Sequence, residues 1–283
     1  MTEFERLSSP MHSGDLLPIL DRKFYSAPSV LTADTLLREA RRQKGLSATP
    51  VPPICVLDPD GDLLDHLRAT GRARRHPAWA CYHSELDTFI HEDITFGIIG
   101  RVVSAPFAVL VAEELFASGC SLLISITSAG QVAPLAPLPY VVLIDKALRD
   151  EGTSYHYLPP TRYSELRPAL RTQLVDGWSH ARLRLHIGAS WTTDAPFRET
   201  EAAVAACRSE GIVVVEMEAA ALYALAQVKG YDIVCFAHVT NQMAQHGDDF
   251  EKGPEQGSQT ALRLITCAAE QWLRNHSEPP HRQ

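Results

Sequence analysis

Short, near-continuous apolar runs recur along the chain, and the stretches between them carry apolar residues at three- and four-residue spacing. The runs predict strands over residues 54–58, 96–103, 121–127, 140–144, 183–189, 212–216 and 233–239. The intervening stretches predict helices over 106–118, 163–175, 199–209, 219–228 and 259–275. Ahead of these, residues 31–43 carry Leu36, Leu37 and Ala40 at helical spacing and run into a basic turn closed by Gly45. Strands rich in Val, Ile and Leu, without alternation, are apolar on both faces. Their alternation with helices predicts one α/β domain: a central mixed twisted sheet flanked by helices on both faces. Residues 1–53 then read as an arm, a helix and a Pro-rich linker, 54–276 as the folded domain, and 277–283 as a disordered polar tail.

The strand at 212–216 ends in Glu216, Met217 and Glu218, and an Ala/Leu-rich helix follows at once. An unpaired carboxylate in a core costs several kcal/mol, so these two need partners. Extended alternation places Glu216 and Glu218 on one side and Met217 on the other. Two acceptors so spaced suit a neutral cis-diol such as the ribose 2′ and 3′ hydroxyls. The plainer alternative is a pair of charges favoured by a helix N-terminus. Ligands of doubly covered sheets collect at the carboxyl ends of strands. Ser128, the Glu216–Glu218 pair and Thr240-Asn241-Gln242 all follow predicted strands, which predicts a single pocket.

Composition narrows the class. With 283 residues and 45% hydrophobic content the chain can bury a full core, and a net charge of −8 argues against nucleic acid or an anionic membrane as partner. No apolar run reaches the roughly 18 residues of a membrane span, and the N-terminal residues lack a signal-peptide pattern. The six cysteines are scattered without a CxxC pair, as expected of buried thiols in a reducing cytoplasm. No metal-ligand spacing, dinucleotide fingerprint or P-loop occurs, so neither a metal nor an organic cofactor is expected.

Four segments in order resemble the nucleoside phosphorylase and nucleosidase superfamily, with uridine phosphorylases the nearest pattern. They are Asp58-Pro59-Asp60-Gly61, Leu123 to Pro134 with its Ser128 turn, Arg149 to Tyr157, and Val215-Glu216-Met217-Glu218 into Ala219. The resemblance implies cleavage of a ribosyl–base bond, by phosphorolysis of a uridine-like or 6-oxopurine nucleoside. It assigns Glu218 and Met217 to the ribose, with Glu216 a second diol ligand. Tyr157, Arg198, Asn241 and Gln242 go to the base. Asn241 stands where purine-cleaving relatives carry an acid; an amide cannot protonate a leaving base but can hydrogen-bond an oxo base. Ser128, Thr127, His83 and Arg101 are left for phosphate or another nucleophile, with His83 lent by a neighbouring subunit. His156 is read as a contact to the 5′ hydroxyl or to a partner subunit, and His238 as a core histidine. The resemblance further implies a homo-oligomer, dimer to hexamer, with shared sites.

The family's phosphate arginines are missing. The first turn reads Asp58-Pro59-Asp60-Gly61-Asp62, and Ser125 stands where the second arginine belongs. Two further readings follow: a phosphate-independent hydrolase using Asp58, Asp60 or Glu92 as base, and a nucleoside-binding protein without turnover. The polar segment 242–253 reads as a lid over the pocket or as a surface loop.

Overall fold

The computed structural model describes residues 17–178, 184–243 and 250–276. The predicted tail, the first sixteen residues of the arm and most of the polar segment after Gln242 lie outside that set. Helix α1 spans Ala33–Lys44, capped by Thr32 and stopped by left-handed Gly45. The core elements follow in order: β1 Ile54–Asp58, α2 Asp62–Ala69, β2 Arg74–Arg75, β3 Asp87–His91, β4 Ile94–Gly100, α3 Ala105–Ala117 and β5 Leu122–Gln131. Next come β6 Tyr140–Asp150, β7 Tyr163–Glu165, α4 Pro168–Trp178, β8 Leu185–Thr193, α5 Glu201–Ser209, β9 Ile212–Glu216, α6 Ala219–Lys229, β10 Asp232–Asn241 and α7 Ser258–His276.

These strands form one mixed sheet in the order β10-β6-β8-β9-β5-β1-β4-β3-β2, as the sequence pattern implies. It also closes on itself. Strand β10 pairs with β5 as well as with β6, and β9 returns to β5 through Gly130–Val215 and Gln131–Val214. Five strands therefore make a closed circuit, which removes two edges and brings the ends of β5, β9 and β10 to one place.

Three local features departed from expectation. The helix expected over 163–175 splits, because Pro168 starts α4 and the residue before a proline is disfavoured in helix. Tyr163–Glu165 instead pair with Leu148–Lys146 as a strand. Strand β3, not expected, is drawn in by β4 through a tight turn whose Glu92 and Asp93 are both left-handed (φ 47° and 61°). Helix α2 begins directly after the acidic turn, where Asp58 accepts the Leu64 amide at 2.9 Å and so caps the first turn.

The core is continuous across the sheet and helices α3, α6 and α7. Tyr223 is fully buried in it, on α6. Its hydroxyl donates to the Ile144 carbonyl at 2.5 Å and accepts from the Cys235 amide at 3.1 Å, joining β6 and β10. Removing that oxygen leaves two buried backbone groups unpaired, at about 1–3 kcal/mol. Tyr223→Phe is therefore expected to lower unfolding free energy by that amount in a denaturant titration; an unchanged midpoint would mean the two backbone groups find other partners.

Candidate functional site

The carboxyl ends of β1, β4, β5, β9 and β10 converge, and the β9–α6 turn is at the centre. Strand β9 ends at Glu216, so the period-two alternation does not extend to Glu218. The chain turns there, and Glu218 becomes the residue that begins α6. Glu216 is 4% exposed and fully engaged. One oxygen accepts from the Ser190 and Thr192 hydroxyls at 3.0 and 2.5 Å, the other from the Glu218 and Ala219 amides, both at 2.7 Å. The charge reading for a helix N-terminus thus describes Glu216, which the structure gives to α6 and leaves with no lone pair for a ribose.

Glu218 is different. It is 2% exposed, with one oxygen accepting the Ser104 amide at 2.7 Å and the other buried without a partner. Ser104 holds that amide in place at a strained φ of 82° and ψ of 149°, a conformation natural to glycine. Burial, reinforced by the neighbouring charges of Glu216 and Asp60, pushes the Glu218 carboxyl up to about 8. Burial also raises Glu216, but its four donors oppose that shift, so the shared proton belongs on Glu218. Met217 between them is half-buried, and the Thr127 hydroxyl lies close enough to Glu218 to favour its ionised form.

Facing Glu218 is the turn after β1. Asp60 accepts the Ser128 amide at 2.8 Å and the Ser128 hydroxyl at 2.7 Å on both oxygens. The donors that the resemblance reserves for phosphate therefore hold a side-chain carboxylate. Lys252 is the cation here: it pairs with Asp62 and lies 3.8 Å from Asp60. Burial pushes Asp58 up to about 7, helped by the charges of Asp60 and Asp62 and opposed by the Leu64 amide. Arg101, at the end of β4, is exposed and pairs with Asp65 at 2.5 Å. Its side chain lies across Gly61, where a Cβ would stand 3.0 Å from Arg101 Cγ and where φ is +86°. Asn241 ends β10 beside Gly130; its carbonyl oxygen accepts the Met243 amide at 2.9 Å, and its NH2 donates to Thr240 at 3.2 Å and Ala129 at 3.5 Å. Gln242 is half-buried next to it.

Other predicted residues are elsewhere. Tyr157 donates to Glu113 at 2.5 Å and lines a cavity with Val228 and Lys229, at the opposite end of α6 from Glu218. A helix of that length separates them by about 15 Å, so Tyr157 does not reach a base held in this site. The buried Arg149 guanidinium, bonded to Ser154, Pro159, Thr161 and Leu158, draws the 151–161 loop to that side. His156 lines the same cavity, 3.0 Å from Lys23. His83 is exposed beside Glu114, in the far half of α3, outside this chain's own pocket. Arg198 is exposed in the turn Pro196–Arg198, where its backbone amide donates to the Ala195 carbonyl at 2.8 Å; Phe197 beside it is fully exposed. Glu92 is at the β3–β4 turn, the wrong end of β4 for this site.

Sequence reasoning missed four participants. Ser104 contributes a backbone amide, which carries no residue signature. Lys252 is 190 positions from Asp62 along the chain. Ser190 and Thr192 lie beyond the strand expected over 183–189; β8 runs on to Thr193 and places them on Glu216. No group of three or more metal-ligating side chains occurs among the described residues. Among them too, no helix is long and apolar enough to cross a membrane. All six cysteines are free, and Cys55, Cys81, Cys120, Cys207 and Cys235 are buried.

Comparison with known proteins bears on the fold and the family. An uncharacterised protein of Acanthamoeba polyphaga mimivirus is 28% identical over 153 residues, 54% of this chain and 59% of that protein. Uridine phosphorylase of Thermococcus kodakarensis is 25% identical over 187 residues, 59% of this chain and 68% of the relative. The crystal structure of purine nucleoside phosphorylase from Toxoplasma gondii in complex with immucillin-H shares the fold with a TM-score of 0.66 at 16% identity, covering 80% of this chain and 93% of that one. Uridine phosphorylase from Vibrio fischeri complexed with 6-hydroxy-1-naphthoic acid gives 0.62 at 16% identity, covering 82% and 93%. The phosphorylase superfamily model matches residues 53–269, and the chain belongs to that superfamily.

Proposed function

We propose that this protein cleaves the N-glycosidic bond of a nucleoside with water as the nucleophile. The observation that carries this reading is the Asp60 carboxylate on the Ser128 amide and hydroxyl, where a phosphorylase would need those donors for phosphate. A phosphate there would meet Asp58, Asp60 and Asp62 with Lys252 as their shared cation. A water there meets a carboxylate able to take its proton.

The ribose rests on Met217 and on Glu218, whose unpartnered oxygen suits a sugar hydroxyl. As the C1′–N bond breaks, its electron pair leaves with the base and positive charge grows on the sugar, close to Glu216, Glu218 and Asp60. Water adds to C1′, Asp60 accepts its proton, and the products are ribose and a free base that is reprotonated from solvent. Asn241 and Gln242 hold the base edge, which favours a uridine-like or 6-oxopurine base. Phosphorolysis is the second reading, favoured by superfamily membership and by the uridine phosphorylase relative; it requires Asp60 to swing off Ser128. No metal or organic cofactor enters either route.

Base release from a panel of uridine, inosine, guanosine and adenosine is expected to proceed equally with and without phosphate. Strict phosphate dependence would replace this reading by phosphorolysis, and binding without turnover would make the protein a nucleoside binder. Asp60→Asn removes the base and is expected to cost at least about 100-fold in kcat, with the fold intact by circular dichroism.

Glu218 also sets a pH dependence. Its pKa in the fold, about 8, exceeds the ordinary 4.5, so the folded chain binds this proton more tightly than the unfolded chain. Stability then falls as pH rises between those values, and the penalty is complete above the upper one. Glu218→Gln is expected to raise Tm over the parent at alkaline pH, with a gain that vanishes near pH 5. A gain that grows on acidification would reverse the assignment of the proton. The same variant is expected to abolish nucleoside binding by calorimetry.

A further inference from the structure

Residues 250–257, just ahead of the last helix, are unusually contorted. Phe250, Gly253, Glu255, Gln256 and Gly257 all have positive φ, at 75°, 82°, 52°, 53° and 79°. At Gly257 a Cβ would stand 2.4 Å from His238 Cε1, so only glycine fits. Non-glycine residues held in the left-handed region point to a segment whose shape is fixed by what it must place. What this one places is Lys252. Its ammonium enters the turn between β1 and α2, pairs with Asp62, and lies 3.8 Å from Asp60 Oδ1, an oxygen that also accepts the Ser128 hydroxyl. A Cβ at Gly253 would stand 3.5 Å from Pro139 Cγ, and Glu255 meets His66 on α2 at 3.6 Å.

We propose that Lys252 is a positioning residue for Asp60, holding its carboxylate on Ser128 and beneath the ribose. The proposal rests on the hydrolytic reading and names the residue that makes that reading work. Asp58 and Asp62 crowd Asp60 on its own turn, while Glu218 across the site holds its proton at neutral pH and adds no charge. His238 on β10 faces Asp60 but its pKa is lowered, by burial and by Lys252 itself, so it brings no charge at neutral pH. Arg101 faces Asp58 and Asp62 from β4 yet bonds Asp65 outside the turn. Without Lys252, nothing among these groups offsets the repulsion between Asp60 and its neighbours, and Ser128's two donors alone would have to hold it.

The test combines kinetics with a structural reporter that needs no turnover. Lys252→Met is expected to lower kcat by about 10- to 100-fold while the nucleoside KM stays within about twofold, since the ribose contacts are untouched. Lys252→Arg, which keeps a cation at this place, is expected to restore kcat. In parallel, the amide resonance of Ser128, shifted downfield by its bond to Asp60, is expected to move upfield in Lys252→Met and to return in Lys252→Arg. An unmoved Ser128 amide, or a kcat that Lys252→Arg fails to restore, overturns the proposal. If the amide moves as expected while the parent protein releases no base without phosphate, Lys252 keeps its role on Asp60 and the hydrolytic reading is what fails.

Discussion

The site depends on one carboxylate that touches no ligand. Glu216 gathers two hydroxyls from β8 and two amides from the start of α6, and so fixes the angle at which strand becomes helix. Its burial is tolerable because four donors replace the water it loses. With that turn fixed, Glu218 is delivered into the core bearing a single donor, from Ser104, and one oxygen with none. A buried acid left half satisfied is costly to stability, and the fold adds a strained Ser104 to hold it there. Under the proposed reading a sugar hydroxyl completes that oxygen.

The second constraint is electrostatic. Phosphate-binding sites use arginine forks and free amides. Here the amide and hydroxyl of Ser128 serve Asp60, and the nearest cation serves Asp60 and Asp62. An internal carboxylate thus sits where an external anion would, and the same geometry that repels phosphate suits activation of a neutral nucleophile. Superfamily membership fixes the fold; the proposed nucleophile rests on these local charges.

Much of this was legible in the sequence for a physical reason. Parallel strands covered on both faces have to be apolar runs, so β1 and β9 could be placed to the residue, and carboxyl-end convergence followed from topology alone. Glu218 was recognisable because a carboxylate ending such a run demands a partner. What the pattern could not carry was anything made by closure of the circuit. The hydroxyls of Ser190 and Thr192 on Glu216, the Ser104 amide on Glu218 and the reach of Lys252 to Asp62 all join segments distant in sequence. Tyr157 shows the converse: its motif pointed to a base contact, but Arg149's bonds carry its loop to the other end of α6. A turn's residues name its chemistry only when the sheet delivers the turn to the site.

The central claim is that the C1′ carbon of a nucleoside meets water on Asp60. Phosphorus-31 NMR of a turnover reaction run in phosphate buffer tests it most directly. The account predicts a free phosphate signal unchanged to completion, with free ribose accumulating alongside the base. A growing ribose 1-phosphate signal that matches base release would contradict it.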